Sequence, residues 1–381
     1  WLDLNRGVYI VQSVPPSCTQ KGMAPCIPTA DGKLPQYVEA SPNGKIFHDS
    51  TDNWQPRIGI AYRLGAKTAI RSSFGIFFDN WAGVLQYSTN PQGTWPSVSS
   101  LSVSNLNYPS ATQLTPSVKG SNPIPSSIYP ASTPLNQVAF FKDPYGKNPY
   151  SLQYNFGIQQ QIGEGLATLN YVGSGGRRLD LGGFYNVALT PGPGNARERS
   201  PYPYIAPTRY QWSWGRSSYQ ALQFLYDRRF SRGLTFLTSY TYSKSIDVGC
   251  SGWFGSEGCS VQNPYAFNND RAPSAFDLTH VLATNWVYEL PFGSGKRFQT
   301  GNRVGDYVLG NWQVNGIVTI RSGAPYNISV PGDIANTGNS NYMRPNLAGD
   351  PNLSNPGPAP GYWINTAAFA SPASYTFGNF G

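Results

Sequence analysis

Several stretches of this chain alternate strictly between apolar and polar residues. In one of them, Ile58, Ile60 and Tyr62 are interleaved with small or charged residues. A period of two places successive side chains on opposite faces of a β-strand, so each stretch predicts a strand with one apolar and one polar face. Such stretches predict about nine strands. They lie near residues 8–13 and at 57–64, 69–76, 152–159, 167–171, 222–229, 234–243, 282–290 and 312–321.

The polar faces of these strands consist mostly of Gln, Asn, Ser, Thr and Gly, and charged residues make up only 12% of the chain. A soluble domain carries about 25% charged residues, because its outer surface meets water. In a transmembrane barrel the apolar face meets lipid instead, and the small polar face meets a hydrated lumen. The stretches are also about as long as the ~9 to 11 residues that a tilted spanning strand needs. The sequence therefore predicts an all-β, antiparallel up-and-down transmembrane β-barrel.

The connections between the predicted strands alternate in length. Residues 65–66, 163–165 and 231–233 form short Gly-containing turns, whereas the segments 78–149, 175–216 and 244–278 are long. Short turns on one rim and long loops on the other are typical of outer-membrane barrels, in which the long loops face the outside of the cell. Soluble domains rarely contain so many long loops. This pattern predicts the bacterial outer membrane as the location.

Four cysteines form two close pairs, Cys18 with Cys26 and Cys250 with Cys259. Each pair lies in a stretch rich in Gly, Pro or Ser, and neither has the C-x-x-C spacing of a zinc site. The pattern predicts two loop-stabilising disulfides formed in an oxidising compartment. On the predicted topology both would be extracellular.

Aromatic residues cluster near the predicted strand ends. An interfacial girdle produces such clusters, because an amphipathic ring is stable at headgroup depth, although the preference of aromatics for strands is an alternative explanation. The clustered residues are Tyr62, Phe77, Phe78, Tyr240, Tyr242, Trp286, Tyr288 and Trp312.

No motif for catalysis, cofactor binding or metal binding is present. His48 and His280 are far apart in the sequence, and neither has a neighbouring pattern for nucleophile activation or metal ligation. The net charge of +8 comes from scattered basic residues, which argues against a nucleic-acid groove. Five arginines on the predicted polar faces are candidates for guiding an anionic or polar substrate; the alternative is that they brace the wall or a plug. These are Arg57, Arg63, Arg71, Arg229 and Arg321.

Residues 53–63 (NWQPRIGIAYR) and 67–79 (KTAIRSSFGIFFD) resemble the barrel region of Oar-like TonB-dependent outer-membrane transporters. Shorter stretches show the same similarity, at 151–155, 240–244, 277–281, 290–293 and 323–326. The resemblance implies a barrel of about 22 strands around an N-terminal plug, with energy supplied through TonB. About nine strands cannot close such a barrel, so residues 1–381 are expected to be one partial barrel domain that lacks its N- and C-terminal strands. No plug or TonB-contacting box is recognisable in the sequence.

The function predicted on these grounds is the barrel portion of a TonB-dependent receptor for active uptake of an unidentified ligand. Its implied partners are outer-membrane lipid, a plug domain, TonB and an extracellular ligand. Two alternatives remain open at this point: a passive porin or adhesin barrel, and a surface β-sandwich that binds carbohydrate or protein. Neither an enzymatic activity nor a cofactor is expected.

Overall fold

The computed structural model describes residues 1–17, 26–27, 31–46, 48, 50–79, 140–248, 261–299, 301–339, 343–353 and 364–380. Its strands are β1 (Leu2–Asp3), β2 (Val8–Val11), β3 (Val38–Ala40), β4 (Arg57–Arg63), β5 (Thr68–Phe78), β6 (Phe140–Lys142), β7 (Tyr150–Ile162), β8 (Gly165–Arg177), β9 (Leu179–Tyr185), β10 (Thr208–Ser231), β11 (Leu234–Val248), β12 (Arg271–Pro273), β13 (His280–Glu289), β14 (Gln313–Arg321), β15 (Asn346–Leu347) and β16 (Phe369–Ala370). The helices are the α-helix α1 (Arg303–Leu309) and the 3-10 helices Ala196–Arg199, Phe267–Asp270 and Thr366–Ala368. None of the described helices is long and apolar enough to cross a bilayer.

One large sheet dominates the structure. Its main path runs β14-β13-β11-β10-β8-β7-β5-β4, and all neighbours along this path are antiparallel. The long strands follow one another in sequence order, so the topology is an up-and-down meander, as predicted. The short turns between them contain glycines with positive φ, among them Gly163 (φ 59°) and Gly233 (φ 79°), a conformation that L-residues with a Cβ rarely adopt. Over the described residues, β4 and β14 are the edges of this path.

The register aligns residues of like polarity across the large sheet. We call two such lines of paired residues the apolar row and the polar row. The apolar row consists of Tyr62, Ile70, Ile158, Leu169, Phe224, Tyr240, Leu282 and Ile320. The polar row consists of Ala61, Arg71, Gly157, Asn170, Gln223, Thr241, Val281 and Arg321. Because each strand alternates, the sheet has one apolar face and one mainly polar face.

The apolar face is exposed, and polar groups bound it at both ends. Its Ile60 and Ile320 side chains are 66% and 61% accessible. Towards the long-loop rim Gln220 pairs with Lys244 in the register, and towards the short-turn rim Arg228 forms an ion pair with Glu164 at 3.7 Å. The stretch of β10 from Gln220 to Arg228 is nine residues long. A strand tilted by ~45° needs ~9 to 11 residues to cross a bilayer, so the length of this stretch fits the apolar band of an outer-membrane barrel.

The prediction of a spanning strand near residues 8–13 is wrong. Val8–Val11 forms β2, which pairs with β1 and, in parallel, with β3 in a separate three-stranded sheet. All residues of β2 are buried, so both of its faces are covered by protein and neither is available to lipid. The main path of the large sheet therefore contains the other predicted strands without this one.

The length of the segment 175–216 predicted a long loop, but part of this segment forms strands. It contains β9 and the beginning of β10, a strand of 24 residues. Since ~9 to 11 residues are enough to cross a bilayer, β10 is long enough to extend well beyond the spanning region. Its first part pairs with β9 and β6, and its second part pairs with β8 and β11. The alternation of Tyr210, Trp212 and Trp214 was the sequence signal for this extension.

Candidate functional site

A hydrophobic core lies on the long-loop side of the large sheet, where β9 and the first part of β10 meet the sheet of β1, β2 and β3. We call it the outer core. Its buried members are Leu2, Tyr9, Val11, Val38, Leu181, Ile205, Tyr210, Trp212 and Val261. The long-loop rim therefore carries a packed, folded region with its own core.

Aromatic rings make up much of the packing around the outer core. Tyr185 contacts Tyr210 at 6.1 Å, and it approaches Trp212 and Tyr265 edge-on at 6.2 and 5.9 Å between ring centroids. Trp212 in turn stacks on Trp214 at 5.5 Å. Edge-to-face and offset contacts are the favourable arrangements of aromatic rings. Burial raises the pKa of the Tyr185, Tyr210 and Tyr265 hydroxyls above the ordinary value, so these rings stay neutral at physiological pH.

Asn186 connects the outer core to the loop that follows β9. Its buried amide nitrogen donates to the carbonyl oxygens of Tyr202 (2.8 Å) and Ile205 (2.6 Å), and its Oδ1 accepts from the Tyr202 backbone N–H. The loop then reaches the N-terminal segment, because the Tyr202 and Tyr204 hydroxyls donate to the carbonyls of Leu4 and Gly7. Satisfied buried hydrogen bonds of this kind fix one loop conformation. The N-terminal sheet is thereby held on the large sheet's outer rim.

A cleft of about 440 Å³ opens beside this region. It is lined by Trp1, Asp3, Arg6, Ile10, Ser41, Pro42, Asn43, Lys45, Ile46, His48 and Tyr145. The imidazole of His48 stacks on the Tyr145 ring at 4.4 Å, and Trp1 approaches the same ring edge-on at 5.9 Å. Arg6 makes two 2.8 Å bonds to the Glu39 carboxylate. The cleft combines aromatic faces with polar groups and has the size of a small-molecule site.

An ion-pair junction anchors the segment before β4 to the large sheet. Asp52 Oδ2 lies 2.6 Å from Lys147 Nζ and 3.4 Å from an Arg178 guanidinium nitrogen. Lys147 precedes β7 and Arg178 follows β8, so both cations are at the long-loop rim. The hydrogen bond from Lys147, followed by that from Ser50, lowers the pKa of the Asp52 carboxyl below its ordinary value. Exposed pairs contribute little stability, so the junction mainly positions this segment.

The five arginines predicted from the sequence do not form a cluster. Arg71 and Arg321 belong to the polar row, and the alternation of β4 places Arg57 and Arg63 on the same face. The Arg57 guanidinium lies 4.5 Å from the centre of the Phe77 ring, and Arg63 Nε donates to the Gly65 carbonyl at 3.1 Å. Arg229 lies where the pairing of β10 with β11 is irregular. The structure thus spreads these cations over a wide surface, and their role stays a prediction.

Of the four cysteines, the described residues include Cys26, which is fully buried and disulfide-bonded. Cys18, Cys250 and Cys259 lie outside the described residues, so the two proposed pairings stay predictions. His280 begins β13, and its Nδ1 is 2.8 Å from the Tyr240 hydroxyl. Within the described ranges no group of three or more His, Cys, Asp and Glu side chains is placed to hold a metal ion.

An antiparallel meander with one exposed apolar face and one polar face defines a membrane-spanning β-sheet protein. Residues 8–381 match the family described as "Outer membrane beta barrel domain". The chain belongs to this family, and its location is the outer membrane. The predictions of fold class and location are confirmed.

Comparison with solved structures gives transporters and receptors of the outer membrane. The FrpB iron transporter from Neisseria meningitidis is 9% identical (TM-score 0.31), with 64% of this chain and 25% of that chain covered. The outer membrane transporter YddB from Escherichia coli is 10% identical (TM-score 0.36), with 70% of this chain and 33% of that chain covered. A mutant of the ferric enterobactin receptor PfeA from Pseudomonas aeruginosa is 12% identical (TM-score 0.30), with 71% of this chain and 32% of that chain covered. This chain therefore spans no more than a third of their lengths. No curated protein matches the sequence.

Proposed function

We propose that this chain is the barrel portion of a TonB-dependent outer-membrane receptor that actively takes up an extracellular ligand. The observation that carries the proposal is the folded region on the long-loop rim, with its outer core and its cleft. A passive pore requires only a polar passage through the membrane. A packed outer region with an aromatic and polar cleft supplies a surface that captures a ligand before transport. The sequence resemblance to Oar-like transporters supports the same function.

The edges of the large sheet support the partial-barrel hypothesis for residues 1–381. Along the main path, β4 and β14 each have one neighbour in the described structure. A strand edge in lipid leaves backbone N–H and C=O groups unpaired, at a cost of several kcal/mol per group. We therefore propose that further strands continue the sheet at both edges to close a larger barrel. A plug domain within that barrel and TonB are the proposed partners.

The two alternatives fit the structure less well. A β-sandwich would cover its apolar face with a second sheet, whereas Ile60 and Ile320 on this face are mostly accessible. A porin or adhesin barrel shares the spanning sheet but does not depend on energy from TonB. Energy dependence therefore separates the proposed function from the porin alternative.

Deletion of the gene and loss of TonB are expected to block depletion of the same compound. Cells lacking the gene, cells depleted of TonB and wild-type cells would be grown in the same complex medium, and the compounds left in each medium would be quantified by mass spectrometry. We expect at least one compound to remain in both altered cultures and to be consumed by wild-type cells. Compounds that depend on the gene but not on TonB would instead establish the passive pore.

A second prediction concerns the arginines of the polar row. Arg71 and Arg321 lie on the mainly polar face, which we propose lines the passage. Replacing both by Gln is expected to slow depletion of the transported compound several-fold, and we expect that compound to be anionic, because cations in a confined passage concentrate anions. Arg232→Gln, in the exposed β10–β11 turn, makes the same kind of charge change away from this face and serves as the control. Equal depletion rates in the double variant and wild type would contradict substrate guidance, and reduced heat resistance of the barrel would favour bracing.

A further inference from the structure

The connection between β13 and β14 differs from the other connections on the short-turn rim. The turns after β4, β7 and β10 contain only a few residues, whereas this one spans residues 290–312 and includes α1. The helix has a defined start, because Asn302 Oδ1 accepts a 2.6 Å hydrogen bond from the Gly305 backbone N–H. The short-turn rim therefore carries one structured segment next to turns of only a few residues.

One side of α1 is exposed and apolar. Val304, Tyr307 and Val308 are 74%, 92% and 56% accessible, and their spacing of three and four residues places them on one side of the helix. Leu309 and Trp312 are also more than half exposed. A helix of 7 residues is not stable alone in water, and contiguous exposed apolar side chains mark an interaction surface. An apolar partner is therefore needed on this side.

The position of α1 on the rim is fixed by specific contacts. Trp312 Nε1 donates to the Val308 carbonyl at 2.7 Å, and the Trp312 carbonyl accepts from the Leu290 backbone N–H at 2.8 Å. At the other contact two glycines meet so closely that a Cβ on Gly293 would lie 2.8 Å from the Gly310 Cα. The helix therefore presents its apolar side in a constant direction relative to the sheet.

The partner that fits this surface is lipid, because the surface is continuous with the apolar face of the sheet. Trp312 precedes β14 and is two residues from Val314, so the two side chains lie on the same face. Tyr288 pairs with Val314 in the register, and Trp286 is the next residue on that face. Trp and Tyr at this end of the strands form the aromatic belt expected at a membrane interface. The last turn of α1 contacts this belt, because Trp312 Nε1 donates to the Val308 carbonyl.

We infer that α1 is an interfacial anchor that lies in the headgroup region of the outer membrane. Val304, Tyr307 and Val308 face the acyl chains, and the exposed cations Arg297 and Arg303 lie at the level of the lipid phosphates. This arrangement fixes the depth of the β13–β14 hairpin in the bilayer. In the proposed function the short turns face the periplasm, so α1 contacts the inner leaflet of the outer membrane. This choice of leaflet rests on the proposed function, whereas the contact with lipid does not.

Fluorescence quenching by lipid tests the anchor directly. The full-length protein carrying Tyr307→Cys would be labelled with an environment-sensitive fluorophore and placed in nanodiscs of phosphatidylethanolamine and phosphatidylglycerol. Doxyl groups at shallow or deep acyl positions would supply the quencher. We expect the label at position 307 to be quenched several-fold more than a label introduced by Ala66→Cys in the β4–β5 turn. Shallow doxyl lipids are expected to quench it more than deep ones.

Two other results would each overturn the inference. Quenching at position 307 no stronger than at position 66 would place the helix in water. An apolar emission spectrum without doxyl quenching would show that protein, not lipid, covers the helix. Because the Tyr307 side chain is 92% accessible, its replacement leaves the packing of the turn intact. Failure of TonB-dependent uptake would not affect this measurement, so the two proposals are tested separately.

Discussion

Replacing Leu222 by arginine is expected to destabilise the protein in a bilayer by about 2 kcal/mol, because a cation on the lipid face costs ~2–4 kcal/mol at the midplane and less towards the interfaces. Leu222 is 46% accessible and lies on the apolar face of β10, between Gln220 and Arg228, which bound the apolar band. A guanidinium at this depth loses its hydration and finds no partner in lipid. Guanidinium-induced unfolding of the full-length protein in phospholipid vesicles would measure the loss.

Leu225→Arg is the matched control, since it makes the same change on the same strand at a similar depth. Leu225 pairs with Thr168 and Ser239 on the mainly polar face, where a hydrated lumen accommodates charge. Its expected effect is about 1 kcal/mol or less. If the two variants lose equal stability, the two faces do not meet different solvents, and the membrane assignment of the sheet is wrong.

The faces and turns of the large sheet could be predicted because they depend on local sequence. Ile58, Ile60 and Tyr62 share a face of β4 through the geometry of an extended strand, whichever strand is next to it. The turn at Gly163 is likewise local, since it depends on a residue that adopts positive φ without strain. The eight strands of the main path therefore follow from patterns within about ten residues of sequence each.

The outer region could not be predicted because its contacts join distant parts of the chain. Val8–Val11 is apolar at each position, so no alternation distinguishes a spanning strand from a strand buried in an outer domain. The covering of both faces of β2 is decided by long-range packing. The cleft is a similar case, because His48 meets Tyr145 only after folding. No rule of spacing relates those two residues.

Replacing Trp212 by alanine is expected to destabilise the outer region by about 3–5 kcal/mol. The Trp212 side chain is 1% accessible, and it packs in the outer core against Tyr185, Tyr210 and Trp214. Its removal leaves a large cavity at the junction of β9 and β10. Protease cleavage between residues 178 and 215, measured on the full-length protein in nanodiscs, is expected to accelerate by two orders of magnitude or more, since about 1.4 kcal/mol corresponds to a factor of ten in the open population.

The spanning sheet is expected to survive this change, because its stability comes from backbone pairing and lipid contact and not from the outer core. Heat-modified migration in electrophoresis would therefore be the same for Trp212→Ala and wild type. Trp54→Ala removes an equal ring that is 80% accessible, and it is expected to change the cleavage rate by less than about three-fold. Loss of barrel migration together with loss of protease resistance would show that the outer core and the spanning sheet fold as one cooperative unit. That result would require the ligand-capturing region and the barrel wall to be energetically coupled.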